Sequence, residues 1–260
     1  MSKSTQTPST PPPTRREALR TQQQAAARAA RRSGRIVRAA WIAGITVIAV
    51  MVGVIAWTLV RAGGPSAAVT GTLVAPAGAT GTGAVVVGKD SAPVTVTVYA
   101  DFMCPWCGKF ERANGDALAG AVDAGTVKLE IHPMAFLDDL SAGTRYSSRA
   151  ANAFVTLAND DPAVAFRFHR LLYTYQPEEN STGLSDARLV ELAREAGATP
   201  AMTAGFASQT YAPWIARATQ QAWDDGVTGT PTVKIDGRTF DGDMFTAGPL
   251  AAAIEAAARD

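Results

Sequence analysis

Cys104 and Cys107 are the only cysteines of the chain, and they stand two residues apart in the stretch DFMCPWC. Two thiols at this spacing can exchange disulfides, form a structural disulfide or bind a metal. A structural disulfide is disfavoured, because its short loop would restrict the unfolded chain little. Zinc would need two more ligands, and the available histidines, His132 and His169, lie in apolar segments typical of core or surface residues. We therefore predict no metal site, although copper, which two thiolates can bind, stays an alternative.

Pro105, between the two cysteines, indicates where a helix begins. Proline often occupies the first turn of a helix, because its missing N–H would have no partner there. If a helix begins at Pro105, Cys104 is its N-cap residue, and the unpaired N–H groups of the first turn favour the thiolate. Cys107, one turn further, can close a disulfide or resolve a mixed one. The spacing thus predicts Cys104 as the nucleophile and Cys107 as the resolving thiol.

Strands are predicted on both sides of the cysteine pair. The β-branched runs AVVV at 84–87 and PVTVTVYADF at 93–102 precede it. A helical stretch follows it and stops near Gly125, and TVKLEIHPMAF at 126–136 is a further strand. A Cys-x-x-C pair at the turn from a strand into a helix, inside a strand–helix–strand unit, favours disulfide exchange over the other two chemistries.

A helical block separates these strands from the last ones. It runs from Ser141 to Trp223, with helices predicted at 142–159, 161–175 and 186–197 and one or two more before residue 223. Its helix-spaced aromatic residues are interpreted as core: Phe154, Phe166, Phe168, Tyr173 and Tyr175. The stretch TPTVKIDGRTF then predicts a hairpin with a type I′ turn at Asp236-Gly237, and GPLAAAIEAAARD predicts a closing helix.

The segments VYADFMCPWCGKFE and GVTGTPTVKIDG, with the helical block between them, resemble the DsbA-like branch of the thioredoxin-fold thiol-disulfide oxidoreductases, in particular its membrane-anchored extracytoplasmic members. The resemblance covers residues 84–260. It implies an α/β fold, namely a thioredoxin-like mixed β-sheet of four or five strands with a helical domain inserted at about 141–223. It also implies an enzyme that catalyses protein thiol-disulfide exchange through a redox disulfide between Cys104 and Cys107, without a bound cofactor.

The resemblance also implies a substrate site. A cis peptide bond is expected at Thr230–Pro231, facing the cysteines, where the loop would offer backbone groups to an extended peptide. Thr230 and Pro231, together with Pro105 and the apolar ring of Trp106, are the predicted substrate-binding residues. The implied partners are exported proteins with thiols or disulfides and a membrane protein that regenerates the disulfide. The same two cysteines can oxidise, reduce or isomerise disulfides in substrate proteins. The alternative is a non-enzymatic module that binds copper or a peptide.

Asp101, three residues before Cys104, is left out of the catalytic set. Thioredoxins carry a buried acid six positions before the first cysteine, where this chain has Val98. Alternation along a strand would place Asp101 on the opposite side from Val98. We interpret Asp101 as a turn former or as a partner of the helix dipole at least as readily as a catalytic group.

One N-terminal transmembrane helix is predicted at 39–60, where twenty-two residues carry no charge and would span about 33 Å as a helix. Residues 1–38 hold nine basic residues and one acid, so this disordered basic tail is expected to stay in the cytoplasm. Residues 61–83, rich in Gly, Ala, Thr and Pro, are expected to form a flexible linker to an extracytoplasmic catalytic domain.

The N-terminal and C-terminal parts of the chain differ in net charge. The formal net charge of the whole is +1, but residues 85–260 hold 14 basic and 22 acidic residues, a formal charge of −8. The C-terminal domain therefore has no basic stripe of the kind that nucleic-acid binding needs, and we expect no nucleic-acid partner.

Overall fold

A computed structural model describes residues 71–259 of the 260-residue chain. The predicted basic tail, the predicted membrane helix and the first part of the predicted linker lie outside these residues. None of the helices between residues 71 and 259 has the length and apolar character needed to cross a bilayer.

The described chain builds one mixed sheet. Its strands are β1 (Val85–Val87), β2 (Val94–Ala100), β3 (Val127–Pro133), β4 (Thr232–Ile235) and β5 (Arg238–Thr239). They lie in the order β1-β3-β2-β4-β5. The central strands β2 and β3 are parallel, and each other neighbouring pair is antiparallel. This confirms the mixed sheet that the resemblance implies.

Alternation of side chains explains how the central strands bury one face. Val94, Val96 and Val98 of β2 are all buried, and the intervening Thr95 is half-buried. In the parallel register Val96 lies opposite Leu129 and Val98 lies opposite Ile131, so apolar side chains from both strands share a face. β-branched residues fit this pleated, packed surface well.

Seven α-helices accompany the sheet within the described residues: α1 (Pro105–Asp123), α2 (Tyr146–Asp160), α3 (Pro162–Thr174), α4 (Asp186–Glu195), α5 (Pro200–Thr203), α6 (Ala212–Asp224) and α7 (Pro249–Ala257). α1 packs against β3, α3 and α7, while α2 packs against α3 and α6. Helices α2 to α6 form the predicted insertion between β3 and β4. Buried apolar side chains run without a break from the sheet into these helices.

Local chemistry sets the helix borders. The Asp161 carboxylate accepts hydrogen bonds from the backbone N–H groups of Ala163 and Val164, and Pro162 follows it as the first residue of α3. The next helix was predicted at about 142–159, and α2 begins four residues later, at Tyr146. Ala142 and Arg145 have φ values of 49° and 53°, in the left-handed region, so the backbone before Tyr146 turns instead of continuing a helix.

Of the five aromatic residues interpreted as core, Tyr175 is the exception. The other four are buried, but Tyr175 follows the end of α3 and is 43% exposed, with the Arg188 guanidinium 4.7 Å from its ring centre. The predicted hairpin turn is confirmed: Ile235 pairs with Arg238, and Asp236 and Gly237 between them have φ values of 46° and 78°, as a type I′ turn requires.

Residues 71–83, the end of the predicted linker, make contacts with the domain. The Ala77 N–H donates to Asn159 Oδ1 at 2.9 Å, and Ala79 forms an isolated antiparallel bridge with Val85. Pro76 is buried. This part of the chain therefore runs along the domain before β1 begins.

Candidate active site

The turn between β2 and α1 positions Cys104. The Cys104 N–H donates to the Asp101 carbonyl at 3.0 Å, and the Met103 N–H donates to Asp101 Oδ1 at 2.8 Å. These two bonds stop β2 and redirect the chain. α1 then begins at Pro105 with Cys104 as its N-cap residue. The first helical turn of α1 therefore starts where the sequence predicted.

The two thiols lie in different environments although one helical turn separates them. Both are free in this structure, and Cys104 is 5% exposed while Cys107 is 1% exposed. The pKa of Cys104 is lowered to about 6, mainly by a hydrogen bond with Cys107 and further by the side chain of Thr230 and by the backbone N–H groups of Cys107 and Trp106. Burial raises the pKa of Cys107 well above its usual value. At neutral pH the outer sulfur is a thiolate and the inner one a thiol.

The loop before β4 lies against the first sulfur. In its protonated form the Cys104 thiol donates to the Thr230 carbonyl oxygen at 3.3 Å, and the Thr230–Pro231 peptide bond is cis. Both residues of the bond are half-buried. β4 pairs with β2, which ends just before the cysteine turn, and this pairing brings the loop and the turn together although 126 positions separate Cys104 from Thr230.

Trp106 forms the exposed side of the site. Its side chain is 56% exposed, and its neighbour Pro105 is exposed as well. The Trp106 ring lies with its centre 5.3 Å from the ring centre of Phe245, which the sequence did not single out. Lys109 Nζ lies 5.4 Å from the centre of Trp106 and 5.2 Å from that of Phe245. Trp106 and Phe245, with exposed Pro105 beside them, thus form an apolar ledge next to the sulfur pair, and the Lys109 ammonium lies near both rings.

Asp101 lies at the centre of the turn and is fully buried. Besides the bond from Met103, its carboxylate accepts from Ser147 Oγ at 2.7 Å and from the Leu137 N–H at 3.0 Å. Burial raises its pKa to about 7, against the lowering effect of these three donors. Asp101 is the turn former that the sequence indicated. Strand alternation could not place its side chain, because β2 ends one residue earlier, at Ala100.

Two residues of the helical insertion reach the same turn and were missed as functional candidates. The Tyr173 hydroxyl donates to the Asp101 carbonyl at 3.2 Å, and Gln176 Nε2 donates to the carbonyls of Phe102 and Cys104. Tyr173 was interpreted as core, which its burial confirms, and Gln176 lies just beyond the end of α3. No spacing rule connects either residue with the cysteines, since more than 60 positions separate them.

Both histidines are buried away from any cluster of ligands. His132 stacks on Tyr99 with ring centres 4.1 Å apart, and burial lowers its pKa to about 4. His169 Nε2 lies 3.4 Å from Glu111 Oε2. Among residues 71–259, no group of three His, Cys, Asp or Glu side chains is arranged to hold a metal ion.

Residues 80–256 match the family described as Thioredoxin, and the chain therefore belongs to the thioredoxin family. Its structure is similar to the reduced form of the disulfide bond oxidoreductase DsbG from Mycobacterium tuberculosis, with 33% identity and a TM-score of 0.61 over 70% of this chain and 90% of that one. It is also similar to oxidised DsbA of the same organism, with 31% identity and a TM-score of 0.55 over 67% of this chain and 99% of that one.

A curated relative of similar sequence is the serine/threonine-protein kinase PknE of Mycobacterium tuberculosis (strain H37Rv). It is 33% identical over 159 residues, which are 54% of this chain and 28% of the kinase. This chain thus spans less than a third of the length of that relative.

The difference between the pKa values of the two thiols can be tested by titration. In the reduced protein, the ultraviolet absorbance of thiolate should rise with a midpoint near pH 6. Cys104→Ser should abolish this transition. Cys107→Ala should move its midpoint upward, because the hydrogen bond with Cys107 is the largest cause of the low pKa. A midpoint near the value of about 8.5 for free cysteine would contradict the assignment.

Proposed function

We propose that this protein is a membrane-anchored thiol-disulfide oxidoreductase that oxidises exported proteins through its Cys104–Cys107 pair. The observation that carries this proposal is the placement of Cys104 at the start of α1, against the Thr230–Pro231 loop, with Cys107 buried one turn behind it. The similarity to the solved DsbG and DsbA structures supports the same chemistry.

In the oxidation step a substrate thiolate attacks the Cys104 sulfur of the Cys104–Cys107 disulfide. The new bond joins substrate and Cys104, and the electron pair of the old bond goes to the Cys107 sulfur, which takes up a proton because its pKa is high. A second substrate thiolate then attacks the substrate sulfur of the mixed disulfide. A substrate disulfide forms, Cys104 leaves as a thiolate, and two electrons have passed to the enzyme.

The oxidising direction is supported by the state of Cys104 after the reaction. A thiolate with a pKa of about 6 stays ionised at neutral pH, so it is a good leaving group and stabilises the reduced enzyme. A dithiol whose reduced form is stabilised oxidises its partners more strongly. Reduction and isomerisation are the alternatives, because they use the same two sulfurs. A measured reduction potential of the Cys104–Cys107 pair would decide between them and oxidation.

Substrate is expected to bind across the loop and the ledge. The half-buried Thr230–Pro231 loop offers backbone groups to an extended peptide, and the exposed rings of Pro105 and Trp106 offer apolar contact beside the reacting sulfur. Backbone recognition would accept many sequences. The proposed substrates are therefore unfolded or partly folded exported proteins with free thiols.

Single substitutions of the two cysteines separate the enzyme from a metal-binding module. With a reduced, unfolded reporter protein, Cys104→Ser should abolish oxidation. Cys107→Ser, mixed in its reduced form with the oxidised reporter, should instead accumulate a mixed disulfide between Cys104 and the reporter, visible on a non-reducing gel. The Cys104 thiolate attacks the reporter disulfide, one reporter sulfur leaves as a thiolate, and the resolving thiol is missing. Tight copper binding that both substitutions abolish equally, without any mixed disulfide, would favour the non-enzymatic copper-binding alternative.

Asp101 is proposed as the group that exchanges a proton with Cys107. Cys107 is 1% exposed and has little access to bulk water, Asp101 lies fully buried in the turn that leads into the same helix, and the pKa of the Asp101 carboxyl is about 7. A buried acid with a pKa near the working pH can accept the thiol proton when Cys107 attacks a mixed disulfide and return it in the reverse step.

Asp101→Asn should slow the attack of Cys107 on a mixed disulfide by about 10²-fold and remove an inflection near pH 7 from its rate profile. The rate of formation of the mixed disulfide at Cys104 is the internal control, because Cys104 is already ionised. An unchanged profile with an equal loss in both rates would show that Asp101 acts only through the shape of the turn.

The membrane anchor at 39–60 and the extracytoplasmic location remain predictions from the sequence, as does a membrane partner that reoxidises the enzyme. In the full chain lacking both native cysteines, Ser4→Cys and Glu178→Cys form a matched pair for labelling in intact cells. A membrane-impermeant thiol reagent should label Cys only at position 178, because the arginine-rich tail is retained inside. Labelling at position 4, or recovery of the protein without membranes, would overturn this topology.

A further inference from the structure

Three carbonyl groups of the turn that carries Cys104 receive donors from the end of α3. Tyr173 Oη donates to the Asp101 carbonyl at 3.2 Å. Gln176 Nε2 donates to the carbonyls of Phe102, at 3.2 Å, and of Cys104, at 2.8 Å. One side-chain amide of the helical insertion therefore bridges the peptide units 102–103 and 104–105, on either side of the Met103–Cys104 peptide bond.

These carbonyl groups matter because the reacting sulfur is an anion. Each carbonyl oxygen of the turn is the negative end of a peptide dipole. These carbonyls belong to Cys104 itself and to residues just before it in the chain. A nearby negative charge or dipole end raises the pKa of a thiol, and a donor that binds the carbonyl offsets that effect. Gln176 thus supports the thiolate without touching it, by binding the carbonyl of the Cys104 residue itself.

Gly108 provides the space that Gln176 occupies. A Cβ atom built on Gly108 would overlap Gln176 Oε1 and lie only 2.9 Å from Gln176 Cδ. Gly108 lies inside α1 with an ordinary negative φ, where alanine is a better helix former than glycine. The backbone therefore does not require glycine at this position, but the side chain of Gln176 does.

We propose that Gln176 is a positioning residue that lowers the pKa of Cys104 and raises the reduction potential of the pair, and that Gly108 is the matching residue that admits it. Through this contact the helical insertion acts on the redox centre. The inference deepens the proposed function and rests on it, but its test reads the thiol directly and does not depend on any substrate.

The first test is the Cys104 titration in the reduced protein. Gln176→Met keeps the length of the side chain and removes its donors, so the pKa of Cys104 should rise by about half a unit, which is about threefold less thiolate at pH values below the transition. Gln176→Glu should raise it further, because a carboxylate adds negative charge beside the same carbonyls. The exposed Gln220, changed to Met, is the matched control and should leave the pKa unchanged.

The second test is a cycle with Gly108. Gly108→Ala should raise the pKa of Cys104 in the native background, because the new methyl group displaces Gln176. In a Gln176→Ala background the same change should have no effect on the titration, since nothing remains to be displaced. Reduction potentials of the four proteins should follow the same pattern, with lower values wherever Gln176 is absent or displaced.

The outcomes separate this inference from a merely structural role and from the proposed function. Unchanged Cys104 titration in Gln176→Met, or an equal effect of Gly108→Ala in both backgrounds, would overturn it. A lower Tm with an unchanged pKa would assign Gln176 to stability alone. If the pattern holds while native protein fails to oxidise a reporter, the proposed function fails and the positioning role stands.

Discussion

A sulfur atom held at the first turn of a helix is favoured as an anion, because the N–H groups there have no carbonyl partners within the helix. In this protein that constraint is met by ending β2 at Ala100, turning the chain over Asp101 and starting α1 at Pro105. Pro105 contributes no N–H, so the backbone donors are those of Trp106 and Cys107. The rest of the structure serves to hold this turn and to cover the second sulfur.

The difference between the two thiols follows from burial and position along one helix. Cys104 meets the N–H groups of the first turn and the Thr230 loop, whereas Cys107 lies behind it in the apolar core and has its pKa raised by burial. An asymmetric pair has a chemical consequence. The outer sulfur is attacked and leaves easily, and the inner sulfur becomes reactive only when a proton is removed, as in the resolution of a mixed disulfide.

The helical insertion is part of the active site as well as its cover. The Asp101 carboxylate is held by Ser147 of α2 and by the backbone of Leu137, its carbonyl by Tyr173 of α3, and the next carbonyls by Gln176. The same helices share one continuous apolar core with the sheet. A turn with contacts on several sides has little freedom to rearrange when the disulfide opens and closes, which favours a preorganised nucleophile.

Much of this organisation could be read from the sequence. The alternating β2 segment, the Cys-x-x-C pair followed by a helix, the Pro162 helix start and the Asp236-Gly237 turn are local signals, because each depends on the backbone preferences of adjacent residues. They were sufficient for the strand–helix–strand unit, the helical block and the N-cap position of Cys104, whereas the mixed sheet was implied by the resemblance to a family. The start of α2 was placed too early: Gly143, with a φ value of 83°, marks the turn, and the left-handed backbone extends beyond it to Arg145, which carries no such signal.

Only the tertiary structure decided what surrounds the sulfurs. Tyr173, Gln176 and Phe245 reach the site across long stretches of chain, and their partners are backbone groups or ring faces that any sequence possesses. Burial, which moves the pKa of Asp101 and of Cys107, is likewise a property of packing and not of neighbours in sequence. The sequence by itself determined which atoms can react and where the helix begins, because these are local; the folded chain determined their ionisation, because electrostatic environment is set by contacts between distant segments.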